Sequence, residues 1–336
     1  MFQGKKILIT GGTGSLGYAL TKRLLELGAD TIRIYSRNEE KQVSMESEFN
    51  NSRLRFFVGD VRDLPRLIRA LEDIDIVFHA AALKHVPVIE YNPFEAIKTN
   101  VMGSQNVIDA CLHEDVEMAI CIGTDKSVSP LNTYGATKLL MEKLFVTANN
   151  YLNPEKHKTK FIAVRYGNVL GSSGSVVPKF IKQIISKEKI TITDPNMTRF
   201  NITMNQALEL IIRAVKKGAG GEVFIPKLKA YKLGDLKDVI VELLNAEDNT
   251  KIISVRTGEK YHESLISEEE IRNIYEDDDD YILIERVDVI RKQGLRRTTL
   301  KEKYSSDKVE LITKEQLNHI LINEKVIKVN DYLNHE

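Results

Sequence analysis

Little in this chain of 336 residues points to a membrane, a metal or a nucleic acid. No apolar run approaches the ~20 residues that a bilayer-spanning helix requires. Lysine plus arginine and aspartate plus glutamate balance at 48 each, so no net field attracts nucleic acid or an anionic lipid surface. Cysteine is scarce. Cys111 and Cys121 stand at no metal-ligand spacing, and a chain so poor in cysteine reads as cytosolic and reduced. The opening MFQGKKILITGG enters an apolar run at once, without the charged-then-apolar layout of a secretion signal. No solenoid-type repeat is found. A soluble, cytoplasmic protein with no metal site is expected.

What is present is a rhythm of strand and helix. KKILIT (5–10), TIRIYS (31–36), LRFFVGD (54–60), IDIVFHAAA (74–82), EMAICIGT (117–124) and KFIAVRYGNV (160–169) are short apolar or β-branched runs, hence strand candidates. Helical spacing fills the gaps at 15–28, 64–73, 93–115 and 133–151. Strand alternating with helix predicts an α/β fold of Rossmann type, a doubly wound parallel sheet with helices on both faces. After about residue 170 helices mix with short strands, which predicts a smaller mixed α/β substrate lobe. The expected division is 1–170 for nucleotide binding and 171–336 for the lobe and an irregular tail, with an approximate boundary that the chain is free to cross back. EDDDD at 276–280 lacks calcium-loop spacing and is expected to be a solvated loop.

The turn after the first strand reads ITGGTGSLG and opens a helix. Gly11, Gly14 and Gly17 there allow a tight turn, a close approach of backbone N–H groups to a pyrophosphate, and close helix packing. The helix N-terminus adds its positive dipole end. At the end of the second strand, a carboxylate would bond the ribose 2′-hydroxyl of NAD and repel a 2′-phosphate. This chain has Ser36 and Arg37 instead, with Lys41 a turn later, a set that suits a phosphate monoester and predicts NADP. Asp60 and Val61 in GDVRD follow the third strand, placed for the adenine edge.

Tyr134 and Lys138 in TYGATK share one face of a helix. A nearby ammonium is expected to lower the phenol from its usual ~10 and let it exchange a proton with a sugar hydroxyl. The order of these motifs resembles the extended short-chain dehydrogenase/reductase superfamily. GGTGSLG, GDVRD, HAAALKHVP, GTDKSVSPLNTYGATK, RYGNVLGSSGSVVP, TITDPNMTRF and TGEKYHE together resemble the nucleotide-sugar 4,6-dehydratases acting on UDP-N-acetylglucosamine, over roughly residues 3 to 270. The inverting members of the flagellin-glycan and capsule type are the most similar in pattern.

That resemblance implies a hydro-lyase. Oxidation of C4 to a ketone acidifies the C5 proton; a base removes it, an acid protonates the departing C6 hydroxyl, and the stored hydride returns to C6. It implies Asp125 as acid at the C6 oxygen, Lys126 as base at C5, Tyr134 and Lys138 for C4 oxidation, and Thr124 as the hydroxyl at the C4 oxygen. A lysine acts as base only where burial or a neighbouring cation lowers its pKa. Motifs and resemblance together imply cofactor contacts at Gly11, Thr13, Gly14, Ser15, Leu16, Gly17, Ser36, Arg37, Lys41, Asp60, Val61, Ala80, Lys84, Tyr134, Lys138, Asn168 and Val169. They imply substrate contacts at Lys84, Asn168, Val177, Arg199, Arg256 and Glu259, the arginines suiting a diphosphate.

His79 lies inside an apolar strand and is expected to be a core histidine; His262 and the stretch Tyr304 to Ser306 carry no derivable role. A retaining dehydratase differs only in the face that reprotonates C5, and TDK does not separate the two. A 4-epimerase requires only the Tyr/Lys pair, and a non-catalytic NADP-sensing protein would have no use for the full set. The resemblance also implies a homo-oligomer, dimer or hexamer, with helical faces near 93–115 or 133–151 as ordinary places for the contact.

Overall fold

The apolar runs expected as strands lie side by side in one sheet. The computed structural model describes residues 1–153, 155–256, 258–285 and 295–327. In it β1 (Lys6–Thr10), β2 (Thr31–Ser36), β3 (Leu54–Val58), β4 (Ile76–His79), β5 (Met118–Ile122) and β6 (Lys160–Val164) pair in parallel in the order β6-β5-β4-β1-β2-β3. Every position of β4 and β5 is buried, which is why they read as continuous apolar runs rather than alternating ones. Between them run α1 (Ser15–Glu26), α2 (Glu39–Phe49), α3 (Leu64–Leu71), α4 (Val86–Tyr91), α5 (Pro93–Ala96), α6 (Gly103–His113) and α7 (Thr133–Tyr151). Leu20 and Leu24 of α1 pack on one face of the sheet, and Leu67 of α3, Val107 of α6 and Met141 of α7 on the other. The helix expected over 93–115 is in three pieces, because a π-helical stretch, Ile97–Met102, separates α5 from α6.

The later elements are β7 (Ile190–Ile192), β8 (Thr198–Phe200), β9 (Glu222–Pro226), β10 (Ala230–Lys232), β11 (Thr250–Ile252), β12 (Ser264–Ile266), β13 (Ile274–Glu276), β14 (Asp280–Ile284), β15 (Arg296–Arg297) and β16 (Tyr304–Ser305). With them come α8 (Val176–Ile185), α9 (Met204–Lys217), α10 (Leu233–Leu243) and α11 (Lys314–Asn323). β9 extends the sheet in parallel beside β6, and β14, β13 and β15 follow antiparallel, giving ten strands among the described residues. A sheet expected to be wholly parallel therefore has an antiparallel edge, and the chain crosses back into it after residue 170. The pairs β8–β10 and β7–β11 belong to the small lobe, whose separate core includes Phe180, Leu236 and Leu317, whereas β12–β16 packs through Leu265, Ile266 and Tyr304 into a core under the main sheet.

The acidic run at 276–280 is not the solvated loop that was expected. It is the hairpin joining β13 to β14, and Glu276 and Asp280 are 3% and 0% exposed. Arg213 on α9 grips Asp280 with two bonds of 2.7 and 2.6 Å, and Lys227 meets Glu276 at 2.9 Å. Cations from neighbouring elements make that burial tolerable, and a charge run read along the chain does not reveal them. Among the described residues, no helix is long and apolar enough to cross a membrane.

Candidate active site

Two cavities open beyond the carboxyl ends of the parallel strands, the place where open α/β sheets hold ligands. One measures about 830 Å3 and the other about 590 Å3, and they share Lys84, His85, Tyr134, Asn168 and Ser172.

The larger cavity is lined by every residue expected to touch the cofactor. At its floor the turn from β1 to α1 needs two glycines for different reasons. Gly11 has φ +68°, and a Cβ there would lie 2.9 Å from the Ala81 backbone; a Cβ on Gly17 would lie 2.5 Å from Gly12 Cα. No side chain caps α1, so its first N–H groups remain available to an anion. At the far end Ser36 Oγ accepts from Gln42 Nε2 (3.0 Å), while Arg62 holds Asp60 through two charge-assisted bonds of 3.0 and 2.7 Å. The Arg37 guanidinium stays 3.9 Å from Asp60 and largely exposed, on the same wall as Lys41. Lys84 bridges the two cavities and donates to the Ser173 carbonyl (2.8 Å), and burial with the nearby Lys41 holds its pKa below the ordinary lysine value.

The catalytic candidates sit where the cavities meet. Asn132 caps α7, its Oδ1 accepting from Gly135 N (2.8 Å), which sets Tyr134 and Lys138 on the first turns. Before it, Asp125–Ser127 forms one 3-10 turn capped by Thr124. Thr124 Oγ1 donates to Asp125 Oδ1 (2.9 Å), and Lys126 Nζ lies 3.0 Å from the same oxygen and 3.2 Å from Asn168 Oδ1. Asp125 is 1% exposed and lies beneath the cavity walls, where burial raises its carboxyl above the usual range. A Cβ at position 167 would stand 3.0 Å from Asp125 Oδ2, so Gly167 makes room for the carboxylate.

Two expectations about protonation are corrected. Lys138 does not lower the Tyr134 phenol: its Nζ turns to the Ile122 carbonyl (2.5 Å) and Met141 Sδ (3.3 Å). Burial takes Lys138 down to about 8, and burial raises Tyr134 against the opposing effects of Lys126 and a Thr124 hydrogen bond. Lys126 also shifts opposite to a free base. Burial disfavours its charge, but Asp125 and Glu263 outweigh that and hold the ammonium above the ordinary lysine value.

In the smaller cavity Arg199, Arg256 and Glu259 stand on one wall, with Arg199 NH2 3.4 Å from Glu259 Oε1. Arg199 is mostly buried and also donates to the Thr198 and Tyr261 carbonyls, whereas Arg256 is exposed. Val177 is misplaced by the sequence reading. It is 1% exposed and packs in the lobe's core, while its neighbour Val176 faces the cavity. His79 is a core histidine: Thr10 Oγ1 and Ser104 Oγ lie 2.8 and 3.0 Å from its ring nitrogens, and burial takes it down to about 3, so it stays neutral.

The family model for polysaccharide biosynthesis proteins matches residues 7–285. The chain belongs to that family. An uncharacterised membrane protein of Methanocaldococcus jannaschii is 48% identical to it over 289 residues, 84% of this chain and 86% of that one. A UDP-N-acetylglucosamine 4,6-dehydratase (inverting) of Campylobacter jejuni is 48% identical over 296 residues, 88% of this chain and 87% of its own. A UDP-glucose 4-epimerase of Rickettsia conorii is more distant at 38%, over 96% of each chain. The X-ray structure of Pen from Bacillus thuringiensis superposes with a TM-score of 0.91 at 38% identity, covering 97% of this chain and all of that one.

Three further residues, to which the sequence reading gave no role, tie the elements of the candidate site together. Asn100, in the π-helical stretch, pairs both amide atoms with Leu83 (2.8 and 3.0 Å) and donates to Thr137 Oγ1 (3.1 Å), tying the loop bearing Lys84 to α7. Arg165, fully buried, joins Glu142 of α7 (2.5 Å) to Glu270 after β12 (2.8 Å). Glu263, 3% exposed, reaches Lys126 Nζ at 3.2 Å. Glu263 closes the motif TGEKYHE, but nothing in that motif shows that it ends against a lysine 137 positions earlier.

Proposed function

We propose that the protein is a UDP-N-acetylglucosamine 4,6-dehydratase that inverts C5, working with NADP in the cytoplasm as a homo-oligomer. The observation that carries this reading is the cluster of Asp125, Lys126 and Glu263 beside Tyr134, at the junction of a dinucleotide-sized and a sugar-nucleotide-sized cavity. A 4-epimerase only moves a hydride and a hydroxyl proton at C4, and has no use for acid and base groups aimed at C5 and C6. The Campylobacter jejuni dehydratase at 48% identity supports the same reading.

The turn at Gly11 and the uncapped α1 fit a pyrophosphate, and Arg37 with Lys41 suits a 2′-phosphate better than a bare ribose. A nicotinamide bound there would supply hydride uptake from C4 and its return at C6. Tyr134 takes the C4 hydroxyl proton, with Thr124 holding the same oxygen. Lys126 stands over the second cavity for the C5 proton. The Asp125 carboxyl, whose pKa burial raises, is the acid for the C6 oxygen, reached through the Thr124 and Lys126 contacts at the cavity floor. Arg199 and Arg256 face the diphosphate. Buried free thiols at Cys111 and Cys121 suit a reducing compartment.

The test is incubation of the purified protein with UDP-N-acetylglucosamine in D2O without added cofactor, followed by proton NMR. Loss of water with deuterium at C5 and the couplings of the inverted ring are expected, and NADP is expected in the acid-released supernatant. Epimerisation at C4 without dehydration would replace this reading with that of the Rickettsia relatives; NAD in the supernatant would overturn the cofactor assignment.

A further inference from the structure

Glu263 stands in the wall of the smaller cavity with one oxygen engaged and one free. Its Oε1 lies 3.2 Å from Lys126 Nζ, while Oε2 is buried without a hydrogen-bond partner. A buried carboxylate oxygen left unpaired is costly, and where one persists the surrounding structure must hold it there. That hold is visible. Glu263 N donates to Ser306 Oγ (3.0 Å), and Ser306 N returns a bond to the Glu263 carbonyl (2.8 Å). Ser306 Oγ also lies 2.6 Å from Thr198 Oγ1, which in turn is 2.7 Å from His262 Nδ1. On the other flank, Arg165 donates to the Leu265 carbonyl (2.9 Å) and so anchors β12. Ser306 of the tail thus holds the backbone of this glutamate directly, and His262 supports Ser306 through Thr198.

Lys126 is therefore gripped between two buried carboxylates, Asp125 at 3.0 Å and Glu263 at 3.2 Å. An ammonium so placed has no lone pair for a carbon-bound proton. Resting on the dehydratase reading, we infer that Glu263 is the positioning partner of Lys126 and holds its proton, so that the pair and not the lysine alone is the base of the site. The balance is simple. An Nζ proton passes to a Glu263 oxygen, leaving a neutral amine and a neutral carboxyl. The amine takes the C5 proton, the C5–H electron pair stays on the sugar, and Asp125, having first taken a proton from solvent, gives it to the departing C6 oxygen. Lys126 is an ammonium again, and Glu263 keeps a proton at the cavity wall. The groups facing Glu263 favour its ionised form at rest: burial disfavours it, but Lys126, Arg199 and Lys260 outweigh burial and hold the carboxyl below its usual range. Asp125, Tyr134 and Tyr231 are the other titratable groups packed around the cluster.

The experiment compares the full-length protein with Glu263→Gln and Glu263→Asp. The amide keeps the shape and removes the charge, so Lys126 loses one of its two anions and titrates at lower pH. Observed by NMR of 13C-labelled lysine side chains, with Lys126→Arg to assign the signal, the titration of Lys126 is expected to move down in Glu263→Gln and to return most of the way in Glu263→Asp. Dehydration is expected to fall about a hundredfold in kcat for Glu263→Gln, the scale of a lost acid–base group. KM and cofactor binding should stay close to those of the parent, and Glu263→Asp should recover part of the rate. An unmoved Lys126 titration in folded Glu263→Gln, or full turnover with an unchanged pH profile, overturns the inference. Should the parent leave UDP-N-acetylglucosamine untouched, the dehydratase reading falls, and the lysine titration still decides whether the two side chains act as a pair.

Discussion

Lys138 shows what a working site costs a single residue. Its ammonium is buried, with the Ile122 carbonyl as its closest partner, and burial takes it from 10.5 down to about 8. Between those values the folded chain binds fewer protons than the unfolded one, so stability rises with pH from about 8 to 10.5 and the cost is fully present below 8. Two and a half units correspond to roughly 3 kcal/mol. Lys138→Met should therefore stabilise the cofactor-stripped protein at pH 7 by about 1 to 3 kcal/mol, less whatever the lost Ile122 bond returns, while abolishing turnover. Denaturant titrations at pH 7 and pH 10 check this, and the gain should narrow at the higher pH. A variant less stable at pH 7, with no narrowing, would refute the argument. Glycine spacing and the Tyr/Lys pair were legible in sequence because they are local. The direction in which Lys138 points was not, because it depends on a β5 carbonyl sixteen positions earlier.

At the scale of elements, the candidate active site depends on how the 3-10 turn at Asp125–Ser127 abuts the start of α7. Gly135 makes that approach possible: a Cβ there would fall 2.2 Å from the Lys126 carbonyl oxygen and 3.0 Å from Pro130 Cβ. Backbone cannot yield as a flexible side chain can, so Gly135→Ala must push Lys126 away from Tyr134. A displacement of this order costs about a hundredfold in rate, with cofactor affinity little changed because the β1–α1 turn is untouched. Turnover within about twofold of the parent would show that the two elements are not rigidly coupled. The first six strands and the helices α1, α3 and α7 were readable because each carries its own apolar period, whereas α2, EEKQVSMESEF, buries only Gln42 and Met45 and was not. The antiparallel edge was not, since β13 is three residues long and the hairpin to β14 is written in carboxylates whose partners lie on α9 and beside β9. Glu263 stood in a quoted motif, TGEKYHE, but its partners were hidden for the same reason: they lie on β16 and at Lys126, both distant in sequence.

The whole molecule presents one unusual surface. The helices α4 to α7 leave Val88, Tyr91, Phe94, Met102, Leu140 and Tyr151 exposed, Tyr91 at 88% and Phe94 at 60%. These helices pack against one another, so their apolar side chains lie on neighbouring elements of one flank. Soluble monomers rarely leave contiguous patches of this kind open. The proposed homo-oligomer supplies an occupant: a second copy meeting the same flank across a two-fold axis, each chain covering the other's Tyr91 and Phe94. The flank also bears the proposed catalytic pair, because α7 brings Tyr134 and Lys138, and α4 leads from His85, which lines both cavities. Burying it would brace both walls of the site without placing a partner residue in either. Replacing Tyr91 and Phe94 together by glutamate puts four like charges across the axis and should give the sedimentation mass of a single chain, with lower turnover and a lower melting temperature. A parent protein that itself sediments as one chain would remove the assembly, and an unchanged mass in the double variant would move the contact to another face.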